Sequence, residues 1–405
     1  IMLEKNLSAM PIENWGGLSF RCKCGARHEI NVKEAALTDD ACYMINAVGK
    51  KMGRRAHVVY DAAIDAETRR KIAQRLDKTF EYTVSEFCPD GPLTRTYCDG
   101  VMAESAEEAV VTVCVGGAAV CEYGKYASAV SGRQWIFLCL IPDGDNFACD
   151  FARLYDGGVK GLFPGRAPDV LLCDTKLAYP YAAEVFDVGL AVAARNILTV
   201  ADADFAARIQ GGRGCDVINY VLTNCVRQAV PLLKKQAGKS AVRALFDCLL
   251  RISLAKSLCN VKTAYLTGIN AFSDMLEFVT GKSEQSLAAA SAYTLASVYK
   301  AATEDKLPLA AGKDCLAHRE AIIRLTGEDR DVSAGFADAD AFEKNRERLA
   351  FNADIAFRVT KAAAAADRNP PKWNFSAASD CLKTCCDVYS YGGLLSYLGD
   401  TGLLD

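Results

Sequence analysis

The chain has 405 residues, of which 51% are hydrophobic, and its formal net charge at pH 7 is −3. This size and composition predict a globular protein of two domains with a large core, and the near balance of charge gives no electrostatic reason to expect nucleic acid or an anionic membrane surface as a partner. No apolar run reaches the ~20 residues of a membrane span, so we expect no transmembrane segment.

The cysteines are unusually numerous for a chain of this kind. Eighteen are spread without a repeating spacing, which in a chain this large predicts reduced thiols in a cytoplasmic protein rather than a disulfide framework. Cys22, Cys24 and His28 form the one cluster with ligand chemistry, but a tetrahedral zinc site needs a fourth ligand. The sequence leaves open a zinc knot and a small hairpin with buried thiols, and it favours the hairpin.

Short apolar runs alternate with helical patterns up to about residue 175. Strands are predicted at 57–60, 110–115, 135–141 and 169–173, and a charged helix at 65–76. This alternation predicts an α/β domain over residues 1–175, with an N-terminal hairpin and a doubly wound, Rossmann-like parallel sheet. In such a sheet the ligand lies at the carboxyl ends of the strands.

The pattern changes beyond this point to long segments rich in Ala and Leu. A 3.6-residue period runs through the segments 181–210, 215–237, 240–259, 284–304 and 338–366. This period is typical of amphipathic or buried helices. Residues 176–405 are therefore predicted to form an all-α domain.

The most informative motif is Val-Gly-Gly-Ala-Ala-Val-Cys-Glu-Tyr-Gly-Lys-Tyr at 115–126. A continuous apolar run at 109–115 predicts a strand buried on both faces, and Gly116 and Gly117 follow it directly. Glycines allow a sharp turn and a close approach to a ligand, and the N–H groups of a helix start favour a phosphate. Such a pair also occurs in turns that only connect a strand to a helix.

This stretch resembles the nucleotide loop of the iron-dependent alcohol dehydrogenase and dehydroquinate synthase superfamily, in particular its glycerol-1-phosphate dehydrogenase branch. The family pattern is Gly-Ser-Gly-Thr-Ile-x-Asp followed by a Lys-Tyr pair, and it is matched at Gly116, Gly117, Val120, Glu122, Lys125 and Tyr126. Ala118 and Ala119 replace the last glycine and the threonine, and Glu122 stands where Asp is usual. The stretches 20–28, 57–61 and 389–404 are also similar to that branch, so the resemblance extends from about residue 15 to the C-terminus.

The resemblance implies a cofactor, NAD or NADP, and a small polyol-type ligand. It implies cofactor contacts for a set of residues along the first domain: Asp61 at the adenosine ribose, Gly116 and Gly117 at the pyrophosphate, Glu122, Lys125 and Pro142. The resemblance also implies that Asp145 and Asp187 face the substrate. Asp187 and Lys125 are the candidate catalytic residues. Extra negative charge at Asp143 and Asp145 predicts that phosphorylated substrates are repelled.

The metal site of the resembled family is predicted to be broken in this chain. The family binds a divalent metal through one Asp and two His. Asp187 is the carboxylate nearest to the Asp position, but it is one residue out of register, which on a helix rotates the side chain by about 100°. The two histidine positions fall on Ala271 and on 280–284, which contain no histidine. A divalent metal is therefore doubtful, and we predict no residue as a metal ligand.

Several other residues could replace the missing ligands. His28 and His57 belong to the first domain, and His318 is predicted on a solvated or cap-proximal helix face. Three carboxylates, at Asp274, Glu277 and Glu284, could form a replacement site for Mg²⁺ or Mn²⁺ together with Asp187. The favoured interpretation is that they are exposed helix carboxylates.

The sequence is compatible with two functions from different classes. The leading one is a glycerol-1-phosphate dehydrogenase-like, NAD(P)-dependent oxidoreductase with lost or altered activity. The alternative is a non-catalytic descendant of that family that binds a nucleotide or a protein partner. A metal-free enzyme with Lys or Tyr as its acid or base is a third candidate, and a homo-oligomer is compatible with each of them.

Overall fold

The computed structural model describes residues 2–209, 215–259, 265–304, 313–326, 332, 339–367, 375–389, 395 and 398. The strands among them are β1 (Ser19–Arg21), β2 (Arg27–Glu29), β3 (Glu34–Thr38), β4 (Arg55–Asp61), β5 (Glu81–Phe87), β6 (Val111–Gly116), β7 (Gln134–Cys139), β8 (Phe151–Asp156), β9 (Val159–Pro164) and β10 (Val170–Asp174). The first helices are α1 (Met2–Ala9), α2 (Met44–Met52), α3 (Ala66–Leu76), α4 (Arg95–Ala103), α5 (Ala118–Ser131), α6 (Thr175–Glu184) and α7 (Phe186–Ile209). They are followed by α8 (Asp216–Ala229), α9 (Lys239–Ser257), α10 (Gly268–Thr280), α11 (Glu284–Glu304), α12 (Cys315–Thr326), α13 (Ala339–Ala366) and α14 (Phe375–Tyr389).

Six strands form one parallel sheet in the order β3-β10-β7-β6-β4-β5. Its central strands β6, β7 and β10 are buried almost throughout, as expected for apolar strands covered on both faces. The predicted strands are confirmed with small shifts of their ends. Strands β3 and β5 were not predicted, and β5 is an edge strand whose charged and polar residues hide the strand pattern.

The order of the strands creates a crevice at the carboxyl ends of β4 and β6. After β4 the chain moves outward to β5 and then returns to β6 on the other side of β4. This reversal is a topological switch point, where open α/β sheets bind their ligands. Asp61 ends β4 and Gly116 ends β6, so the fold brings two predicted cofactor residues to this crevice.

The described residues beyond Asp174 are helical wherever they form regular structure. The long helix α7 packs against α8, α11 and α13, and it is apolar on most faces because it is surrounded by other helices. The segment predicted as one helix at 181–210 is divided at Val185 into α6 and α7. The helix predicted at 215–237 ends at Ala229, because Pro231 cannot continue an α-helix, and a 3-10 turn follows at Val230–Lys234.

An antiparallel hairpin of β8 and β9 is a further element that was not predicted from the sequence. Its turn consists of Gly157 and Gly158, which have positive φ angles of 61° and 84° and are therefore suited to a left-handed turn. Side chains of this hairpin contact α10 and the start of α11. The hairpin thus covers the junction between the sheet and the helices. No helix in the described ranges has both the length and the hydropathy that crossing a membrane requires.

Helix α5 packs closely on the sheet at Gly124. A Cβ atom at this position would lie 2.6 Å from Cε3 of Trp135 and 2.9 Å from Sγ of Cys114. We expect Gly124→Ala to lower the free energy of unfolding by about 1–3 kcal/mol through overpacking, measured by urea denaturation. Gly100→Ala in α4 is the control, since nothing lies within 4 Å of its Cβ, and it should stabilise by about 0.5–1 kcal/mol. Equal effects of the two substitutions would contradict this packing argument.

Candidate functional site

A cleft of about 270 Å³ lies between the sheet and the helices. Its walls are the loop after β5, the start of α5, the segment 144–147, the β8-β9 hairpin, α7, and the junction of α10 and α11. Glu122, Asp145, Arg153, Arg195 and Glu284 contribute polar atoms to its surface. Ala118 and Ala119 at the start of α5 belong to the lining of this cleft, next to the turn where the sequence predicts a pyrophosphate.

The start of α5 is already occupied by side chains of the protein. Gly117 is the N-cap residue of this helix. The Oδ1 atom of Asp143 accepts a hydrogen bond of 2.7 Å from the N–H of Ala118, and the carboxylate of Asp61 accepts one from the N–H of Gly117. Two carboxylates therefore hold the amides that would otherwise be available to the predicted pyrophosphate.

Close packing explains both glycines of the motif. Gly116 has φ of 150°, and a Cβ there would collide with Cβ of Asp61. A Cβ at Gly117 would lie 2.5 Å from Oδ1 of Asp143. The backbone approaches these two side chains so closely that only glycine fits, whether or not a nucleotide binds.

Burial shifts the protonation of both carboxylates, and the charge of Asp61 also acts on Asp143. Burial raises the pKa of Asp143 to about 7; the charge of Asp61 adds to the rise, and the hydrogen bond from Ala118 opposes it. Burial also raises the pKa of Asp61. Asp143 therefore changes charge near neutral pH, at a helix start that would attract an anionic ligand.

This titration predicts pH-dependent binding of a dinucleotide. The negative charge of Asp143 is present above its pKa and lost below it, so NADH should bind more tightly at pH 6 than at pH 8. We expect Asp143→Asn, which keeps the acceptor oxygen, to tighten binding at pH 8 by about tenfold and to abolish the pH step, as measured by calorimetry. Asp90→Asn at an exposed position is the control. Equal wild-type affinities at pH 6 and pH 8 would contradict the prediction.

Lys125 lies on the inner face of α5 and is fully buried. Its Nζ atom donates hydrogen bonds to Oε1 of Glu122 at 2.5 Å and to the carbonyl oxygen of Asn146 at 3.2 Å. Burial lowers the pKa of Lys125, but the Glu122 carboxylate together with Cys121 and Cys149 outweighs this effect, so the net shift is upward. Glu122 lines the cleft, and Lys125 acts as a protonated partner that positions it.

Pro142 lies where the loop after β7 meets α7. A Cβ at Gly189 of α7 would collide with the carbonyl oxygen of Pro142 and would lie 2.8 Å from Cδ2 of Leu245. Pro142 therefore contacts the helices with its backbone. Asp187 lies in the first turn of α7 and is not among the residues that line the cleft.

A cluster of eight charged side chains, largely buried, lies along one side of the cleft, between the β8-β9 hairpin and the helices. The basic members are Arg153, Lys160, Arg195 and Lys256, and the acidic members are Asp145, Asp274, Glu277 and Glu284. The four positive charges balance the four negative charges. Burying charges is costly unless they are paired in this way.

Asp145 anchors one half of this cluster. It accepts hydrogen bonds from Nζ of Lys256 at 3.0 Å, Nη2 of Arg195 at 3.3 Å and Nδ2 of Asn196 at 2.7 Å. Burial raises the pKa of Asp145, but Lys256 and Arg195 outweigh this effect and hold it well below its usual range. Asp145 lines the cleft as the resemblance implies, as a stably ionised group.

The other half of the cluster is three carboxylates around one ammonium group. Oxygens of Asp274, Glu277 and Glu284 lie within 4.8 Å of one another, close enough to bind one metal ion. The Nζ atom of Lys160 lies 3.3, 2.6 and 3.2 Å from these three carboxylates, respectively. Arg153 forms further ion pairs with Asp274 and Glu284. A divalent ion at this position would have to displace the ammonium group.

The expectation that these three carboxylates are exposed is wrong. Asp274, Glu277 and Glu284 are 0%, 7% and 3% exposed, because the unpredicted β8-β9 hairpin covers them with Arg153 and Lys160. The basic members of the cluster were not predicted either. A signal was available for Arg195, which follows the apolar run 188–194 of α7, where an unpaired charge would be strongly unfavourable.

The three histidines lie outside the cleft lining. His57 is buried on β4, with Nε2 2.8 Å from Oγ of Ser85, and burial lowers its pKa to about 4. His318 is the fourth residue of α12, as the cap-proximal alternative predicts, but it is fully buried, so the solvated alternative is wrong. His28 lies on β2 of the N-terminal hairpin, at the Cys22 and Cys24 cluster.

Comparisons with known proteins identify the fold. No protein-family model and no curated protein sequence matches the chain. A 1,3-propanediol oxidoreductase structure has a TM-score of 0.64 at 13% identity, covering 91% of this chain and 96% of its own. An iron-containing alcohol dehydrogenase from Thermotoga maritima has a TM-score of 0.62 at 9% identity, with the same coverage. A probable glycerol dehydrogenase from Sinorhizobium meliloti has a TM-score of 0.52 at 15% identity, covering 82% of this chain and 96% of its own.

At these identities the likeness concerns the fold. The predicted fold class is confirmed, with a parallel α/β sheet in the N-terminal part and a helical C-terminal region. The chain has the fold of the iron-containing alcohol dehydrogenases.

Proposed function

We propose that the protein is a polyol dehydrogenase-like oxidoreductase, descended from the glycerol-1-phosphate dehydrogenase branch, in which metal-dependent hydride transfer is lost or altered. The observation that carries this proposal is the position of Lys160. Its ammonium group lies 2.6–3.3 Å from all three carboxylates of the cleft that could share a metal ion. The ammonium group of Lys160 supplies the positive charge that a metal ion would supply among these carboxylates.

The surroundings of Lys160 support this proposal. A divalent cation placed among the three carboxylates would also meet the guanidinium groups of Arg153 and Arg195, which both contact Glu284. Like charges at such distances repel strongly in a buried site. The donor set contains no imidazole, and its carboxylates are engaged in ion pairs, so these residues fit a resident metal poorly.

The balance of charge in the cleft favours a neutral ligand over a phosphorylated one. The positive charges of Arg153, Lys160, Arg195 and Lys256 are already matched by carboxylates. The hydroxyl groups of a polyol can exchange hydrogen bonds with Glu122 and Tyr155, which line the cleft, without adding charge. A phosphate group would add negative charge near Glu122 and Asp143.

The dinucleotide would bind with its pyrophosphate at the start of α5. Its nicotinamide ring would be the hydride acceptor. Asp61, Gly116 and Gly117 are the residues that would contact the dinucleotide. Since Asp61 and Asp143 already accept the Gly117 and Ala118 amides, binding must break these hydrogen bonds and is expected to be weak. This observation also favours the second candidate, a non-catalytic descendant that binds a partner.

Calorimetric titration with NAD, NADH, NADP and NADPH at millimolar concentration tests the proposal. We expect weak binding of at least one dinucleotide, and a stronger response to glycerol than to glycerol 1-phosphate in its presence. Ala119→Glu, at the cleft wall on α5, should abolish dinucleotide binding by charge repulsion. Val130→Glu, exposed at the other end of α5, should leave it unchanged.

The absence of heat with all four dinucleotides would overturn the dehydrogenase-like proposal and leave the partner-binding candidate. About one equivalent of zinc, nickel or iron in the purified protein, retained after substitution of Cys22 and Cys24, would show instead that the cleft holds a metal. Both measurements use the full chain as purified.

A further inference from the structure

We propose that Cys22, Cys24, His28 and Cys215 form a structural zinc site that joins the N-terminal hairpin to the helical region. The sequence motif supplies three of these ligands, and folding adds Cys215 as the fourth. This site shares no residue with the cleft, and the proposal does not depend on the proposed function.

The distances between the ligand atoms fit one tetrahedral zinc ion. Nε2 of His28 lies 3.3 Å from Sγ of Cys24 and 3.3 Å from Sγ of Cys215. Sγ of Cys22 lies 3.7 Å from Sγ of Cys215, and all four atoms lie within 4.8 Å of one another. With bonds of about 2.3 Å to sulfur and 2.0 Å to nitrogen, a tetrahedron requires separations of about 3.5–3.8 Å.

The hairpin holds its ligands in a tight turn. Cys22 and Cys24 lie between β1 and β2, and His28 lies on β2. The N–H of Cys22 donates to the carbonyl oxygen of Ala26 at 2.9 Å, and Gly25, with φ of 87°, donates to that of Cys22 at 3.1 Å. The short spacing between the two cysteines and the histidine therefore places three ligand atoms on one side of the turn.

A hydrogen bond outside the cluster orients the imidazole of His28. Nδ1 lies 2.8 Å from the carbonyl oxygen of Leu258, just beyond the end of α9. A carbonyl oxygen only accepts, so Nδ1 carries the hydrogen and Nε2 presents its lone pair to the three sulfur atoms. Zinc-binding histidines are commonly held by such a contact on their second ring nitrogen.

Backbone amides are directed at the sulfur atoms. Cys215 is the N-cap residue of α8, and the amides of Val217 and Ile218 in the first turn of that helix lie close to its sulfur atom. The N–H of Ala26 donates to Sγ of Cys24. Amides at a helix start and in a turn stabilise thiolates, the form of cysteine that binds metal.

The ligand set favours a closed zinc site. Three thiolates and one imidazole provide four protein ligands, which is the composition of structural zinc centres without a free position for substrate. Binding of Zn²⁺ by three thiols releases three protons. Since the ligands come from the hairpin and from α8, the metal would hold these two parts together.

The test begins with the full-length protein purified under reducing conditions. We expect about one zinc per chain by elemental analysis, and X-ray absorption should give a shell of three sulfur atoms and one nitrogen atom. Cys24→Ser and Cys215→Ser should each lower the zinc content several-fold. Cys88→Ser is the matched control, since Cys88 is exposed and outside the cluster, and its zinc content should equal that of the wild type.

Thermal unfolding of the Cys24→Ser variant provides a second test, which does not depend on whether Cys215→Ser folds. The side chain of Cys24 is exposed, so Cys24→Ser should fold. A strong chelator should lower the melting temperature of the wild type and of Cys88→Ser, and leave that of Cys24→Ser almost unchanged. Protein that binds no zinc on direct titration under reducing conditions, or a zinc content unaffected by both ligand substitutions, would each overturn the proposal.

Discussion

Reduction of dihydroxyacetone phosphate by this protein is expected to be at least about a thousandfold slower than the ~10 per second of an ordinary enzyme. If Lys160 takes the place of the metal as proposed, the reaction lacks electrostatic stabilisation worth several kcal/mol, and each ~1.4 kcal/mol corresponds to a factor of ten. Any residual activity should favour glycerol over glycerol 1-phosphate, because the acidic groups near the start of α5 disfavour a phosphate.

Steady-state assays in both directions measure this effect, with and without added zinc, nickel, magnesium or manganese. A metal-dependent polyol dehydrogenase assayed in parallel is the positive control. Turnover of ~10 per second on dihydroxyacetone phosphate without metal, the ordinary range for enzymes, would contradict the prediction. Lys125→Met would then be the next variant, since its ammonium lies beside Glu122 at the cleft wall.

Substitution of Lys160 should have the largest effect on stability. Lys160→Ala leaves Asp274, Glu277 and Glu284 buried with one fewer positive charge, and breaking a buried ion pair in this way costs about 3–5 kcal/mol. Removal of the ammonium group also frees carboxylate oxygens, which are suitable ligands for Mg²⁺ or Mn²⁺. We therefore expect an unstable variant that divalent cations rescue.

Urea denaturation with and without Mn²⁺ measures both parts of this prediction. The midpoint for Lys160→Ala should fall well below that of the wild type and rise on addition of Mn²⁺, whereas the wild-type midpoint should not respond. Lys71→Ala is the matched control, since Lys71 forms an exposed ion pair with Glu67, and its midpoint should change little. A wild-type protein that binds Mn²⁺ in the cleft as tightly as the variant would refute the role of Lys160 as an internal cation.

Much of the architecture is predictable because it depends on local patterns. The buried strands β6, β7 and β10 are largely apolar runs, β4 contains the apolar stretch 58–60, and α7, α9, α11 and α13 follow the helical period. The turn at Gly116 and Gly117 is predictable from its own residues. In contrast, β5 is polar at the sheet edge, and β8 and β9 mix charged and apolar residues and become a hairpin that covers a distant helix.

The fold class, the position of the turn at Gly116 and Gly117 and three ligands of the proposed zinc site follow from the amino-acid sequence, because apolar periodicity, glycine turns and closely spaced cysteines act over a few residues. The chemistry of the cleft depends instead on contacts that exist only in the folded chain. Asp145 pairs with Arg195, and Arg153 pairs with Glu284, between segments far apart in the chain. Burial makes these pairings obligatory, since a charge removed from water needs a partner, and no local pattern specifies which distant partner folding will supply.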